Sequence, residues 1–204
     1  MGKIQASPNL IKKLLFIQKH CNKVVVSPNG ISSRYINVQL ACLSDCSFGI
    51  ETKELVEMLK YTNDFNLIDK KYIEYNYTCF LDDQEAYISK NIPLFDLSYT
   101  FNFQSPICTL KLPFFKSISS DETEIEFLNG KLILETRGYI KTRIVFDAQR
   151  VEGTEYFRAK AKGTDLKIIE EIEGERVLCY FENSLVIFGF DQDLNTAIVI
   201  KCLV

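Results

Sequence analysis

His20 is the sole histidine in a chain of 204 residues. That restricts acid–base and nucleophilic chemistry severely, because a serine or cysteine nucleophile needs a base within hydrogen-bond reach. The carboxylate pairs Asp121-Glu122 and Glu170-Glu171 read as exposed helix caps or faces rather than acid–base couples. The sequence contains neither a glycine-rich phosphate loop nor a His-Glu-x-x-His motif. Cys42 and Cys46 form one close pair with no second pair to complete a zinc site. The other cysteines, Cys21, Cys79, Cys108, Cys179 and Cys202, are scattered, several in apolar strand-like runs, as reduced core thiols are. The expectation is a protein without enzymatic activity, metal or cofactor.

The cations do show a pattern. Lys12, Lys13, Lys19, His20 and Lys23 fall in one stretch with no acidic residue ahead of Asp45, although the whole chain carries a net charge of -3. A protein of that balance does not coat nucleic acid indiscriminately, so any polyanion contact needs a local basic face. A second basic cluster is Arg158, Lys160 and Lys162.

The elements that must position these residues follow a repeat. Ser7-Pro8 is an N-cap followed by proline at the first helical position, and the helix it starts runs to His20. Leu10, Ile11, Leu14, Leu15 and Ile17 are expected on its buried side. Val24-Val25-Val26, the turn around Asn29-Gly30 and a strand from Ile31 to Leu43 complete a helix-plus-hairpin unit. The second unit is a helix from Lys53 to Lys60 capped by Thr52, then Asp64 to Ile68, the turn Asp69-Lys70-Lys71, and Tyr72 to Leu81. The third opens near Thr109 to Pro113 with a short helix to Ser119, followed by Glu124 to Leu128, the Asn129-Gly130 turn and Lys131 to Thr136. A charged loop from Asp147 to Gly163 leads to the fourth unit. That unit has a helix from Thr164 to Ile172, strands Arg176 to Phe181 and Leu185 to Gly189, and a last strand from Ala197 to Cys202.

Four units in two pairs predict an α+β chain of two similar domains, 1–82 and 109–204, with helices on one side of antiparallel sheets. Residues 83–108 between them read as a partly extended connector. With 47% hydrophobic and 25% charged residues the composition is that of a globular protein. The absence of a signal-peptide pattern and of a long apolar run leads to the expectation of an intracellular protein, in cytoplasm or nucleus.

Order and spacing of these units, from Ser7 to Lys201, resemble the DNA sliding clamps, the fold of proliferating cell nuclear antigen and of the T-even-type phage clamps. The stretches that carry the likeness are Leu10 to Gln18 with Val24-Val25-Val26 and Asn29-Gly30, Phe48-Gly49-Ile50 with Leu55 to Leu59 and Leu67 to Tyr77, Leu112 to Ile118 with Ile125 to Leu134, and Leu166 to Ile172 with Val177 to Phe188. Pro113-Phe114-Phe115 departs from it, standing where a longer amphipathic helix belongs.

The resemblance implies a processivity factor: three subunits closing head to tail around duplex DNA, helices lining the inner wall, and a DNA polymerase and a clamp loader as partners. A clamp-like checkpoint or scaffold protein, acting in a hetero-oligomer or as a monomer, is the alternative. Under the clamp reading the DNA-facing residues are Lys12, Lys13, Lys19, His20 and Lys23, with Lys60, Lys116, Lys167, Arg158, Lys160 and Lys162 as further contributors. Such contacts to phosphate bind any sequence, which sliding requires. Partners of clamps insert a short apolar peptide near the connector and the C-terminal segment, here Ile92, Leu94, Phe95, Leu203 and Val204.

Overall fold

The computed structural model describes residues 2–4, 7–39, 47–81, 84–99, 105–112, 121–136, 141–172, 174–190 and 195–203. The chain divides into two compact units, 1–100 and 101–204. Among the described residues no helix is long and apolar enough to cross a membrane.

In the first unit, helix α1 (Pro8–His20) starts where Ser7 accepts a hydrogen bond from the Leu10 amide at 3.1 Å, and it stops where Cys21 turns extended. Its buried residues are Leu10, Lys13, Leu14, Phe16 and Ile17. The inward stripe therefore runs through Leu10, Leu14 and Ile17, and Lys13 lies in it because it stands three residues after Leu10 and four before Ile17. Leu15, expected inside, is 45% exposed. Helix α2 (Thr52–Tyr61) packs against α1. Thr52 is its first residue rather than its cap, and Glu51 at the cap position makes no side-chain bond.

One sheet of this unit has the order β5-β2-β3-β4, with β2 (Lys23–Ser27), β3 (Gly30–Ser32), β4 (Ile36–Gln39) and β5 (Phe48–Glu51) all antiparallel. The long strand expected from Ile31 to Leu43 breaks into β3 and β4. Ser33 turns the chain between them, its hydroxyl accepting from the Ile36 amide at 3.0 Å. Gly30 permits the crossing: at φ +146° it lies so close to Val38 that a Cβ would fall 2.2 Å from that carbonyl.

The second sheet has the order β1-β6-β7-β8, from β1 (Gly2–Lys3), β6 (Asp64–Ile68), β7 (Tyr72–Leu81) and β8 (Gln84–Pro93). Asp69 and Lys70 both have positive φ, 49° and 56°, which twists the β6–β7 turn to match its strands. Residues 84–93, read from sequence as connector, form a regular strand paired with β7 along its whole length. β6 reaches only Tyr72 to Glu74 of β7, so the outer part of the β7–β8 hairpin has no third strand among the described residues.

In the second unit, β10 (Glu122–Leu128), β11 (Lys131–Thr136), β12 (Arg143–Asp147) and β14 (Tyr156–Lys162) form a sheet of order β12-β11-β10-β14. Asn129 and Gly130, at φ 50° and 73°, make the tight β10–β11 turn. The strands β13 (Gln149–Gly153), β9 (Cys108–Leu112), β15 (Glu175–Phe181), β16 (Ser184–Phe190) and β17 (Asn195–Lys201) pair in that order. Two expectations change here. Residues 108–112 form strand β9 between β13 and β15 rather than opening a helix, and the supposed loop from Asp147 to Gly163 holds β13 and β14. The expected third helix to Ser119 lies outside the described residues. The fourth is short: α3 (Gly163–Leu166) passes directly into a 3-10 turn, Lys167–Glu171.

Candidate nucleic-acid interface and docking segment

A helix face that meets phosphate must point away from the core. On α1 the exposed positions include Lys12, Leu15, Lys19 and His20, spaced by three and four so that Lys12, Leu15 and Lys19 form one stripe. No acid lies in its first turn, and Lys19 and His20 occupy its last, where the helix dipole favours cations. The His20 ring sits edge-on to Phe16, centroids 5.2 Å apart, while His20 itself stays exposed. Lys13 departs from the expected set: only 9% exposed, it lies in the helix–core seam and its stem packs there instead of facing outward.

Lys23 lies at the start of β2 with its ammonium 3.8 Å from the Phe95 ring centroid. Lys60, near the end of α2, bonds Glu57 one turn earlier at 3.1 Å, and that bond holds the Glu57 carboxyl below its ordinary pKa. Lys167 is exposed on the 3-10 turn. Lys116 lies outside the described residues.

Arg158, Lys160 and Lys162 sit on strand β14, which runs directly into α3. Phe157, Ala159 and Ala161 alternate with them and are buried, so the three cations share the outward face of β14. Directly opposite them on β10 stand Glu126, Glu124 and Glu122. Arg158 pairs with the 8% exposed Glu124 carboxylate, and Lys160 approaches Glu122 at 3.9 Å. Three cations against three acids leave this face with little net field, and it is a weaker phosphate surface than α1. The sequence showed both rows but not that the strands are neighbours.

The proposed docking residues separate. Ile92 is 2% exposed and pairs across the strands with the fully buried Ile73, so strand alternation places it in the core. Leu94 and Phe95 are half-buried just beyond β8, and Leu203, also half-buried, donates its amide to the Lys160 carbonyl at 2.7 Å. Val204 lies outside the described residues. The sequence reading missed the exposed apolar group on the β7–β8 hairpin: Phe80 is 77%, Leu81 58% and Tyr87 72% exposed. Their signal was present, since large apolar residues flank the acidic pair Asp82-Asp83 in the sequence.

Among the described residues no group of three or more histidine, cysteine or acidic side chains is placed to hold a metal. The Cys42–Cys46 pair lies outside them. Cys21, Cys79, Cys108, Cys179 and Cys202 are free thiols, and burial pushes Cys108 and Cys179 above the ordinary thiol pKa and Cys202 up to about 11. Such thiols are poor nucleophiles at neutral pH.

No protein-family model matches the sequence, and no curated protein matches it. Solved structures do match the fold. The proliferating cellular nuclear antigen of Entamoeba histolytica superposes with a TM-score of 0.69 at 13% identity, covering 100% of this chain and 98% of that one. The one from Thermococcus kodakaraensis gives 0.65 at 14% identity, covering 98% of each chain. The likeness spans both units of strands and short helices, and the chain has the sliding-clamp fold of the proliferating cell nuclear antigens.

Proposed function

We propose that this protein is a subunit of a DNA sliding clamp: a non-catalytic ring that encircles duplex DNA without reading its sequence and tethers a DNA polymerase at sites of replication. The observation that carries this reading is the one-signed outer face of α1, with Lys12, Lys19 and His20 on a helix preceded and followed by no acid until Asp45 in a chain of net charge -3. Cations of this kind hold phosphate by releasing counterions and allow translation along the duplex. Lys60 and Lys167 are further candidate phosphate contacts under the same reading.

Ring closure needs unpaired strand edges. β8 and β12 are each the last strand of their sheet, and the hairpin that ends in β8 carries the exposed Phe80, Leu81 and Tyr87. An exposed edge with apolar side chains pairs readily with another chain. We assign β8 of one copy to β12 of the next, a head-to-tail contact that closes a homotrimer. Polymerase and loader then dock through an apolar peptide beside Leu94 and Phe95 of the first unit.

The test is mass by light scattering across a concentration series, with closed-circular and linear duplex added. Three copies retained on circles and lost from linear ends is the expected result. A monomer at every concentration that ignores DNA sinks the ring and leaves a clamp-like scaffold. A trimer retained equally on both DNA forms sinks topological encirclement.

A further inference from the structure

Residues 94–97 lie across the first unit as a strap, and their seat is built by three independent features. The Phe95 amide donates to the Gly49 carbonyl at 2.8 Å, and the Gly49 amide donates back to Phe95 at 3.1 Å. Gly49 admits this approach because a Cβ there would lie 2.8 Å from both the Phe95 carbonyl oxygen and the Leu97 Cβ. Upstream, the Leu94 amide donates to the Lys71 carbonyl at 2.8 Å. The ring of Phe95 then receives the Lys23 ammonium at 3.8 Å, from the strand next to Gly49. Glu51 stands opposite Lys23 in the β2–β5 register, yet the ammonium lies over the ring.

We propose that Lys23 is a positioning residue for the strap, holding Phe95 on β5 by a cation–π contact, and that it does not serve as a phosphate ligand. The seat explains why Lys23 differs from Lys12 and Lys19: it is on a strand, past the end of the helix, and its charge is directed at an aromatic face. Seating Phe95 also sets where the half-buried Leu94 and Leu97 are presented to a docking peptide. That presentation rests on the clamp reading; the seat itself does not.

The experiment is amide hydrogen exchange on the full chain with Lys23→Met, which keeps the apolar stem, and Lys23→Arg, which keeps a cation. The expected result is exchange at Phe95 and Gly49 faster by roughly two- to five-fold in K23M, the range of an exposed cation–π contact, with K23R close to wild type. Unchanged exchange in K23M, or equal acceleration in both variants, overturns the proposal. Retention on DNA circles is read alongside: K23M retains like wild type, and loss of retention by K23M overturns the positioning role. If the wild type itself is not retained, the clamp reading fails while the exchange result still decides the strap.

Discussion

Thr52 donates its hydroxyl to the Cys21 carbonyl at 2.8 Å while its amide donates to the Asn22 carbonyl at 2.8 Å, joining the first residue of α2 to the chain just past α1. Thr52 is 0% exposed, so the donor side of both bonds is out of water. Helix ends leave backbone groups unmatched, and here one side chain answers for the end of the other helix. Thr52→Val keeps the shape and removes the donor. It is expected to lower stability by about 1–3 kcal/mol, the cost of an unmatched buried polar group, whereas Thr52→Ser costs less. Urea unfolding, with the midpoint shifted and the slope unchanged, checks this.

Arg158 and Glu124 make a second prediction. Glu124 has 8% of its side chain exposed and Arg158 55%, so the pair is sheltered on the acid side. Arg158→Met removes the guanidinium from a carboxylate already out of water and is expected to destabilise by about 1–3 kcal/mol. Lys160→Met breaks only the 3.9 Å approach to Glu122, between side chains 42% and 45% exposed, and is expected to cost under about 1 kcal/mol. Equal costs for the two variants would refute the difference in shelter.

Cys202 gives a pH dependence. Burial alone raises its thiol from 9.0 to about 11, so the fold favours the protonated form. A group whose folded pKa lies above its unfolded one contributes stability that is whole below about pH 9 and is lost as pH rises toward 11. Cys202→Ala is therefore expected to flatten the fall in stability across that alkaline window, read as thermal midpoint against pH. In the intact chain, iodoacetamide labelling of Cys202 should be slow at pH 8 and should rise about tenfold per pH unit as the thiolate fraction grows.

How legible these features were in the sequence depended on whether their cause was local. The Asn129-Gly130 turn was legible because positive φ at two successive positions favours Asn and Gly, and the Asp69-Lys70 turn was legible from its run of polar residues between two apolar strands. The seat of α1 was half legible. Ser7-Pro8 marked its start, but the buried stripe is turned around the helix from the expected one, so Phe16 and Lys13 lie inside and Leu15 outside. The neutralised face of β14 was not legible at all, because Arg158 meets Glu124 across a pairing of strands separated by β11, β12 and β13 in sequence. Ile92 was misread for a related reason: without the β7 register its alternation with Asn91 and Pro93 gives no inward side.

The same distinction between helix face and helix seam separates the lysines of α1. Lys12 and Lys19 are exposed, and Lys13 beside them is 9% exposed, so three residues of one type in one helix should respond differently to the same substitution. Lys12→Gln and Lys19→Gln are each expected to weaken retention on duplex circles. Each should also make its dependence on salt shallower, by about 0.9 in log–log slope for every phosphate no longer neutralised, with no preference among DNA sequences. Lys13→Gln is expected to leave that slope unchanged and instead to lower the thermal midpoint, because its stem fills the seam beside Leu10 and Ile17. Retention measured from low to moderate salt for the three variants decides it. A Lys13 variant whose slope falls as in the other two would mean that the seam opens toward the duplex, and three equal, flat responses would remove α1 from the DNA-facing wall.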